Sequence, residues 1–197
     1  MRRILLIVAS LMLAFPALVS PLRAADGPAA TLIERTAAEV IELIKAKPPG
    51  PEREAGIRKV LIEAFDLNYM GQQALGKYWS STSPEQRQRY LRAAVDAEAH
   101  AYAERFGQYG GQTLTLGKVS QRGNVTVVDS KLNQSNGQPI VIQWEVRDVG
   151  GAPRITDVKI EGVSMVITRR TDFTSYIQNN GGKVEALIQE LESRAKR

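Results

Sequence analysis

The chain has 197 residues, no cysteine, one histidine and a formal net charge of +5 at pH 7. The lack of cysteine excludes disulfides and cysteine metal sites, and a lone histidine excludes mechanisms that need two imidazoles. Three of the 26 basic residues fall in an N-terminal segment that we expect to be removed, which leaves 23 basic against 21 acidic residues, or +2. This near balance argues against a nucleic-acid partner.

The first 25 residues are typical of a secretory signal peptide. They contain Arg2 and Arg3, an apolar run over 4–19, and the small residues Ala24 and Ala25. The apolar run is shorter than the ~20 residues that a membrane span requires. We therefore predict a signal peptide over 1–25, cleavage near Ala25, a periplasmic location and one domain over 26–197.

Apolar residues at helical spacing predict four helices in the first half of the mature chain, over 29–47, from 52 onward, over 68–75 and over 84–109. The proline-rich segment 48–51 separates the first two, because proline cannot continue a helix. Ser83 can cap the long fourth helix, with Pro84 at its first position and Gln86 completing a capping box.

The second half predicts four antiparallel strands, over 113–119, 124–132, 139–148 and 154–168, separated by glycine-containing turns. In the last strand Gly162 is interpreted as a bend. Thr171 or Asp172 is expected to cap the helix that follows. The predicted fold class is α+β, with a helical N-terminal half packed on a curved four-stranded antiparallel sheet and a C-terminal helix. The family resemblance described next adds a lipid pocket between helices and sheet.

The segment 157–173, DVKIEGVSMVITRRTDF, resembles the C-terminal part of the MlaC family of periplasmic phospholipid-binding proteins, also called the toluene-tolerance family. The glycine pair 181–182 and the segment 187–191 continue that resemblance, and the segments 75–79 and 83–87 are similar to the helical part of the family. The resemblance extends from 57 to 191. It implies a monomeric lipid carrier without catalysis or cofactor, whose phospholipid buries its acyl chains between helices and sheet.

The resemblance also implies the partners of such a carrier. They are an outer-membrane lipoprotein complex and an inner-membrane ABC transporter with an MCE-type subunit, between which lipid would be shuttled. A related subgroup is associated with hopanoids, so phospholipid and hopanoid both remain candidate cargoes.

Chemistry argued from the residues themselves leaves two further alternatives. Neither G-x-G-x-x-G nor a P-loop occurs, and His100 without cysteine argues against a transition-metal site. A small enzyme could use a pocket carboxylate, for which Asp66, Asp129, Asp157 and Glu161 are candidates. The apolar stripes could equally form the filled core of a scaffold. Only the family resemblance favours a lipid carrier over these two.

Strand alternation and helix stripes predict which side chains line the lipid pocket. They are Met70, Leu75, Trp79, Val95 and Tyr102 on the helices, and Trp144, Val158, Ile160 and Met165 on the sheet. Arg169 and Arg170 are the candidate headgroup contacts; because neighbours on an extended segment point to opposite sides, at most one would face the pocket. The terminal helix after Gly181 and Gly182 is predicted to be a movable flap beside the pocket mouth.

Overall fold

The computed structural model describes residues 27–105, 110–135 and 137–196, and the predicted signal peptide lies outside these ranges. Its helices are α1 Pro28–Ala46, α2 Pro51–Ala64, α3 Leu67–Leu75, α4 Pro84–Arg105, α5 Met165–Asn179 and α6 Val184–Arg194, with a 3-10 turn at Gly76–Tyr78. Within the described ranges, none of these helices has the length and apolar character needed to cross a membrane.

Local signals in the sequence set the beginnings of the N-terminal helices. α1 and α2 each start at a proline, whose fixed φ suits the first helical position and whose missing N–H is no loss there. At α4 the Gln86 amide N–H donates to Ser83 Oγ over 3.2 Å, and the Ser83 N–H donates to Gln86 Oε1 over 3.3 Å. These two hydrogen bonds confirm the predicted capping box.

The sheet is an antiparallel meander in the order β1-β2-β3-β4-β5. Its strands are β1 Thr113–Arg122, β2 Val125–Asn133, β3 Ile140–Val149, β4 Ala152–Ile160 and β5 Val163–Ser164. The predicted α+β class is confirmed, with helices on one antiparallel sheet. The sheet has a fifth, two-residue strand in addition to the four predicted, and the helices α5 and α6 follow it.

The prediction of one bent strand over 154–168 is wrong. Glu161 and Gly162 have φ of 50° and 80°, so they form the two-residue turn of a tight hairpin that returns the chain onto β4 as β5. Ser164 Oγ then accepts the Ile167 N–H over 3.1 Å and caps α5, so neither Thr171 nor Asp172 is the cap. The apolar run after Gly162 is therefore mostly helical.

Among the described residues, buried side chains form two separate clusters. The first joins α3, α4, α5 and α6 and includes Leu75, Tyr90, Phe173, Ile177 and Leu187. The second joins α1 and the end of α2 to the sheet and includes Leu32, Ile33, Ala64, Val128 and Ile155. Two clusters in one fold leave room for a space between the helical layer and the sheet.

Candidate functional site

An apolar cavity of about 550 Å³ occupies the space between the helices and the sheet. Its walls include members of the helical cluster and side chains that pack against the sheet cluster. The apolar lining includes Val40, Ile41 and Ile44 of α1, Ile57, Val60 and Leu61 of α2, Met70 and Ala74 of α3, and Leu114, Ile142, Trp144, Val158 and Ile160 of the sheet. Such a space suits an apolar ligand better than a polar one.

Seven of the nine predicted pocket residues line this cavity: Met70, Val95, Tyr102, Trp144, Val158, Ile160 and Met165. Leu75 does not, because it is 0% exposed within the helical cluster. It follows Ala74, which does line the cavity, and the helical turn of about 100° between neighbours carries it to another face. Trp79 comes after the 3-10 turn and lies in a separate polar pocket.

The sheet wall is built by strand pairing. Trp144 of β3 is opposite Val158 of β4, and Ile142 is opposite Ile160, so alternation along each strand turns all four toward the cavity. The indole N–H of Trp144 donates to Ser130 Oγ over 2.8 Å. That bond fixes the ring while satisfying its one polar atom, which keeps the wall apolar.

The walls supplied by α1 and α2 are absent from the predicted pocket residues. The periodicity of Val40, Ile41 and Ile44 marks them as a buried face. Whether that face meets packed side chains or empty space depends on the position of the sheet, which periodicity does not report. The periodicity therefore predicts an apolar face on α1 but does not show that this face lines the pocket.

An ion pair lies on the cavity wall. Arg169 of α5 donates to both carboxylate oxygens of Glu98 of α4, over 2.5 and 3.0 Å, and lies 3.6 Å from Asp172. The hydrogen bond to Glu98 raises the pKa of Arg169, and burial followed by the charge of Glu98 raises the pKa of Tyr102 beside the pair. The guanidinium is thus already occupied by a bidentate partner.

Arg170 faces away from the cavity. Its Nε donates to the Gln73 carbonyl over 2.6 Å and its Nη2 donates to Gln73 Oε1 over 2.9 Å. The two arginines were predicted to lie on an extended segment and point to opposite sides. They lie instead on α5, where Arg169 lines the apolar cavity and Arg170 lines a separate polar pocket. Of the predicted headgroup pair, Arg169 alone lines the cavity.

The carboxylates considered for catalysis have structural hydrogen bonds and do not line the cavity. Asp66 caps α3 at the Tyr69 N–H, and Asp129 accepts from the Gln143 amide. Asp157 accepts the backbone N–H groups of Val158 and Val166. Glu161 accepts the Val141 N–H, so all four have local structural roles. Among the described residues, no cluster of three or more metal-ligating side chains occurs either.

The terminal helix α6 does not lie beside the cavity. Leu187, Ile188 and Leu191 are buried in the helical cluster, and Arg89 of α4 pairs with Glu185 over 2.8 Å and with Glu192 over 3.0 Å. No described residue of α6 contributes to the cavity lining. This placement contradicts the prediction that α6 is a flap at the pocket mouth.

An antiparallel sheet roofed by helices around an apolar cavity defines a class of protein that can enclose an apolar ligand. The family model described as MlaC protein matches residues 34–193, and the chain therefore belongs to the MlaC family.

Two curated relatives agree with the family match. The chain is similar to the intermembrane phospholipid transport system binding protein MlaC of Haemophilus influenzae, with 25% identity over 144 residues, which are 71% of this chain and 66% of that protein. It is also similar to the toluene tolerance protein ttg2D of Pseudomonas putida, with 24% identity over 113 residues, 57% of this chain and 53% of that protein. The chain thus spans less than two thirds of the length of each relative.

A solved structure has the same fold. It is the phospholipid-binding protein from Ralstonia solanacearum in complex with a phospholipid, which matches with a TM-score of 0.74 and 22% identity over 86% of this chain and 98% of that one.

Proposed function

We propose that the protein is a periplasmic carrier that binds phospholipid with its acyl chains in the cavity and shuttles it between the outer and inner membranes. The observation that carries the proposal is the apolar cavity of about 550 Å³ between helices and sheet. Each methylene removed from water stabilises the complex by ~0.8 kcal/mol, so burial alone can make a soluble complex of an insoluble molecule. The relatives named for phospholipid transport and phospholipid binding support the choice of cargo.

Binding in this cavity requires no reaction, cofactor or metal. The outer-membrane lipoprotein complex and the inner-membrane ABC transporter with an MCE-type subunit are the partners we propose for loading and unloading. The family match is the support for these partners.

Native mass spectrometry of the chain, exported with its own leader and purified without detergent, tests the proposal. We expect a complex heavier than the mature polypeptide by the mass of one phospholipid, which is released on denaturation. Release of a hopanoid instead would identify hopanoid, not phospholipid, as the cargo. A chain that carries no lipid and acquires none from phospholipid vesicles would refute a carrier.

Glu98 is expected to weaken the binding of anionic lipid. A headgroup phosphate that reaches Arg169 must replace a carboxylate bound over 2.5 and 3.0 Å. Glu98→Gln removes the competing charge while keeping the shape of the wall. Hydrogen bonds to charged groups contribute about 1.5–3 kcal/mol. We therefore expect the variant to bind anionic phosphatidylglycerol roughly tenfold more tightly, with little change for zwitterionic phosphatidylcholine.

The measurement is displacement of a fluorescent lipid by each of the two phospholipids. Asp96→Asn is the matched control, because Asp96 lies on the same helix, pairs with Arg58 over 2.6 Å and does not line the cavity. When Arg169→Gln is combined with Glu98→Gln, the preference for phosphatidylglycerol over phosphatidylcholine should disappear. Equal affinities for the two lipids in Glu98→Gln would show that no phosphate approaches Arg169.

A further inference from the structure

A second pocket, of about 400 Å³, lies where α3 and the 3-10 turn meet α5. Its polar lining consists of Gln72, Gln73, Lys77, Ser80 and Arg170, with Trp79 as its aromatic wall. It shares no described residue with the apolar cavity, because α3 turns Met70 and Ala74 to one side and Gln72 and Gln73 to the other. The two adjacent arginines of α5 also lie in different pockets, Arg169 in the apolar cavity and Arg170 in the polar pocket.

The guanidinium of Arg170 is held in a fixed orientation. Two hydrogen bonds to Gln73, over 2.6 and 2.9 Å, engage Nε and Nη2, and Nη1 has no hydrogen-bond partner among the described residues. Gly76 lies beside this side chain. It has a φ of +57°, and a Cβ there would stand 3.5 Å from Cγ and Cδ of Arg170. The guanidinium of Arg170 is thus held by Nε and Nη2, and its Nη1 can donate to a bound anion.

The pocket has positive charge without an acid to balance it. No lining residue is acidic, and within the described ranges neither Lys77 nor Arg170 forms an ion pair, whereas Arg169 pairs with Glu98 and Asp172. The Arg87 guanidinium lies over the Trp79 ring, 5.0 Å from its centroid, and does not itself line the pocket. Neutral donors are also present, since the Gln73 amide accepts from Arg170 through its oxygen and keeps its NH₂ group.

We propose that this polar pocket binds a phosphate group. A guanidinium fork, a lysine point charge and several neutral donors match a tetrahedral anion with many acceptor oxygens. The phosphate can come from a free phosphorylated molecule or from the headgroup of a membrane lipid. The site does not depend on lipid in the apolar cavity, because the two pockets have separate walls.

The two tryptophans of the chain make a direct test possible. Trp79 lines the polar pocket and Trp144 lines the apolar cavity, so their indole N–H resonances report separately. Titration of the mature protein with inorganic phosphate is expected to shift the Trp79 resonance saturably and leave that of Trp144 in place. Lys77→Gln and Arg170→Gln should each raise the Kd for phosphate at least tenfold.

Matched controls are Lys183→Gln and Arg122→Gln, which remove exposed cations without ion-pair partners in the described ranges and outside both pockets. Lys77→Gln keeps the test valid if Arg170→Gln disturbs α3, because Lys77 is exposed and its ammonium lies over the Tyr78 ring, 5.2 Å from the ring centroid.

Cosedimentation with vesicles separates the two phosphate sources. Binding to phosphatidylglycerol vesicles that Lys77→Gln abolishes, without saturable binding of inorganic phosphate, would assign the site to lipid headgroups. Saturable phosphate binding without vesicle binding would assign it to free phosphorylated molecules. If Lys77→Gln and Arg170→Gln change neither, the proposal is overturned, whatever the apolar cavity holds.

Discussion

The Ala37→Trp variant is expected to lose most of its bound lipid while remaining folded. Ala37 lies on α1 and lines the apolar cavity, so an indole at this position projects into space that the acyl chains would occupy. Forcing extra volume into a filled site costs about 1–3 kcal/mol. A cost of that size weakens binding tenfold for each ~1.4 kcal/mol, so the loss should be tenfold or more. The lipid-free variant should melt at or above the temperature of the lipid-free wild type, because the indole fills a void.

Ala38→Trp is the matched control for this experiment. Ala38 is the next residue on the same helix, is exposed and does not line the cavity. Both variants add the same side chain to the same helix, so any general effect of tryptophan on α1 appears in both. Phosphorus content per purified chain measures the occupancy. Equal occupancy in Ala37→Trp and Ala38→Trp would place the acyl chains outside this cavity.

The strands and most helix starts could be predicted because their signals are local. Alternation along β3 gave the face of Trp144, and the capping box at Ser83 gave the start of α4. The hairpin at Glu161 and Gly162 was missed for a physical reason. Such turns need positive φ at both positions, and glutamate at the first is not one of the residues that normally announce it. Because the hairpin was missed, the start of α5 was predicted too late. The cap was therefore assigned to Thr171 or Asp172, and Arg169 and Arg170 were assigned to a strand.

The cavity and its ion pair depend on distances that no local pattern encodes. Glu98 and Arg169 are 71 residues apart in sequence, and nothing in the spacing of either residue points to the other. An apolar stripe has the same composition whether it meets packed side chains or a void. The separation of the helical cluster from the sheet cluster decides between these, and that separation is a property of the assembled layers.

Arg53→Met is expected to destabilise the protein strongly, although Arg53 does not line the cavity. Arg53 of α2 is 4% exposed and has no carboxylate partner among the described residues; it donates instead to the carbonyls of Ile44, Lys47 and Ala103. Two of those carbonyls are at the C-terminal end of α1 or just beyond it, and the third is in the last turn of α4. The last carbonyls of a helix have no partner within the helix, and here one guanidinium joins the ends of both helices to α2.

Methionine keeps the length and apolar character of the Arg53 stem but supplies no donor, so buried carbonyls lose their partner. Each unsatisfied buried group costs about 1–3 kcal/mol, and we expect the free energy of unfolding to fall by roughly 3 kcal/mol. For a chain of this size that corresponds to a melting temperature about 6–12 °C lower.

Arg58→Met on the same helix is the control, because the Arg58–Asp96 pair is more than one third exposed on both sides and should contribute less than about 1 kcal/mol. Lipid affinity should fall as well, since Ile44 at the end of α1 lines the cavity. If thermal melts show the two variants to be equally stable, the three carbonyls have other partners once the guanidinium is gone, and Arg53 does not hold the helix ends together.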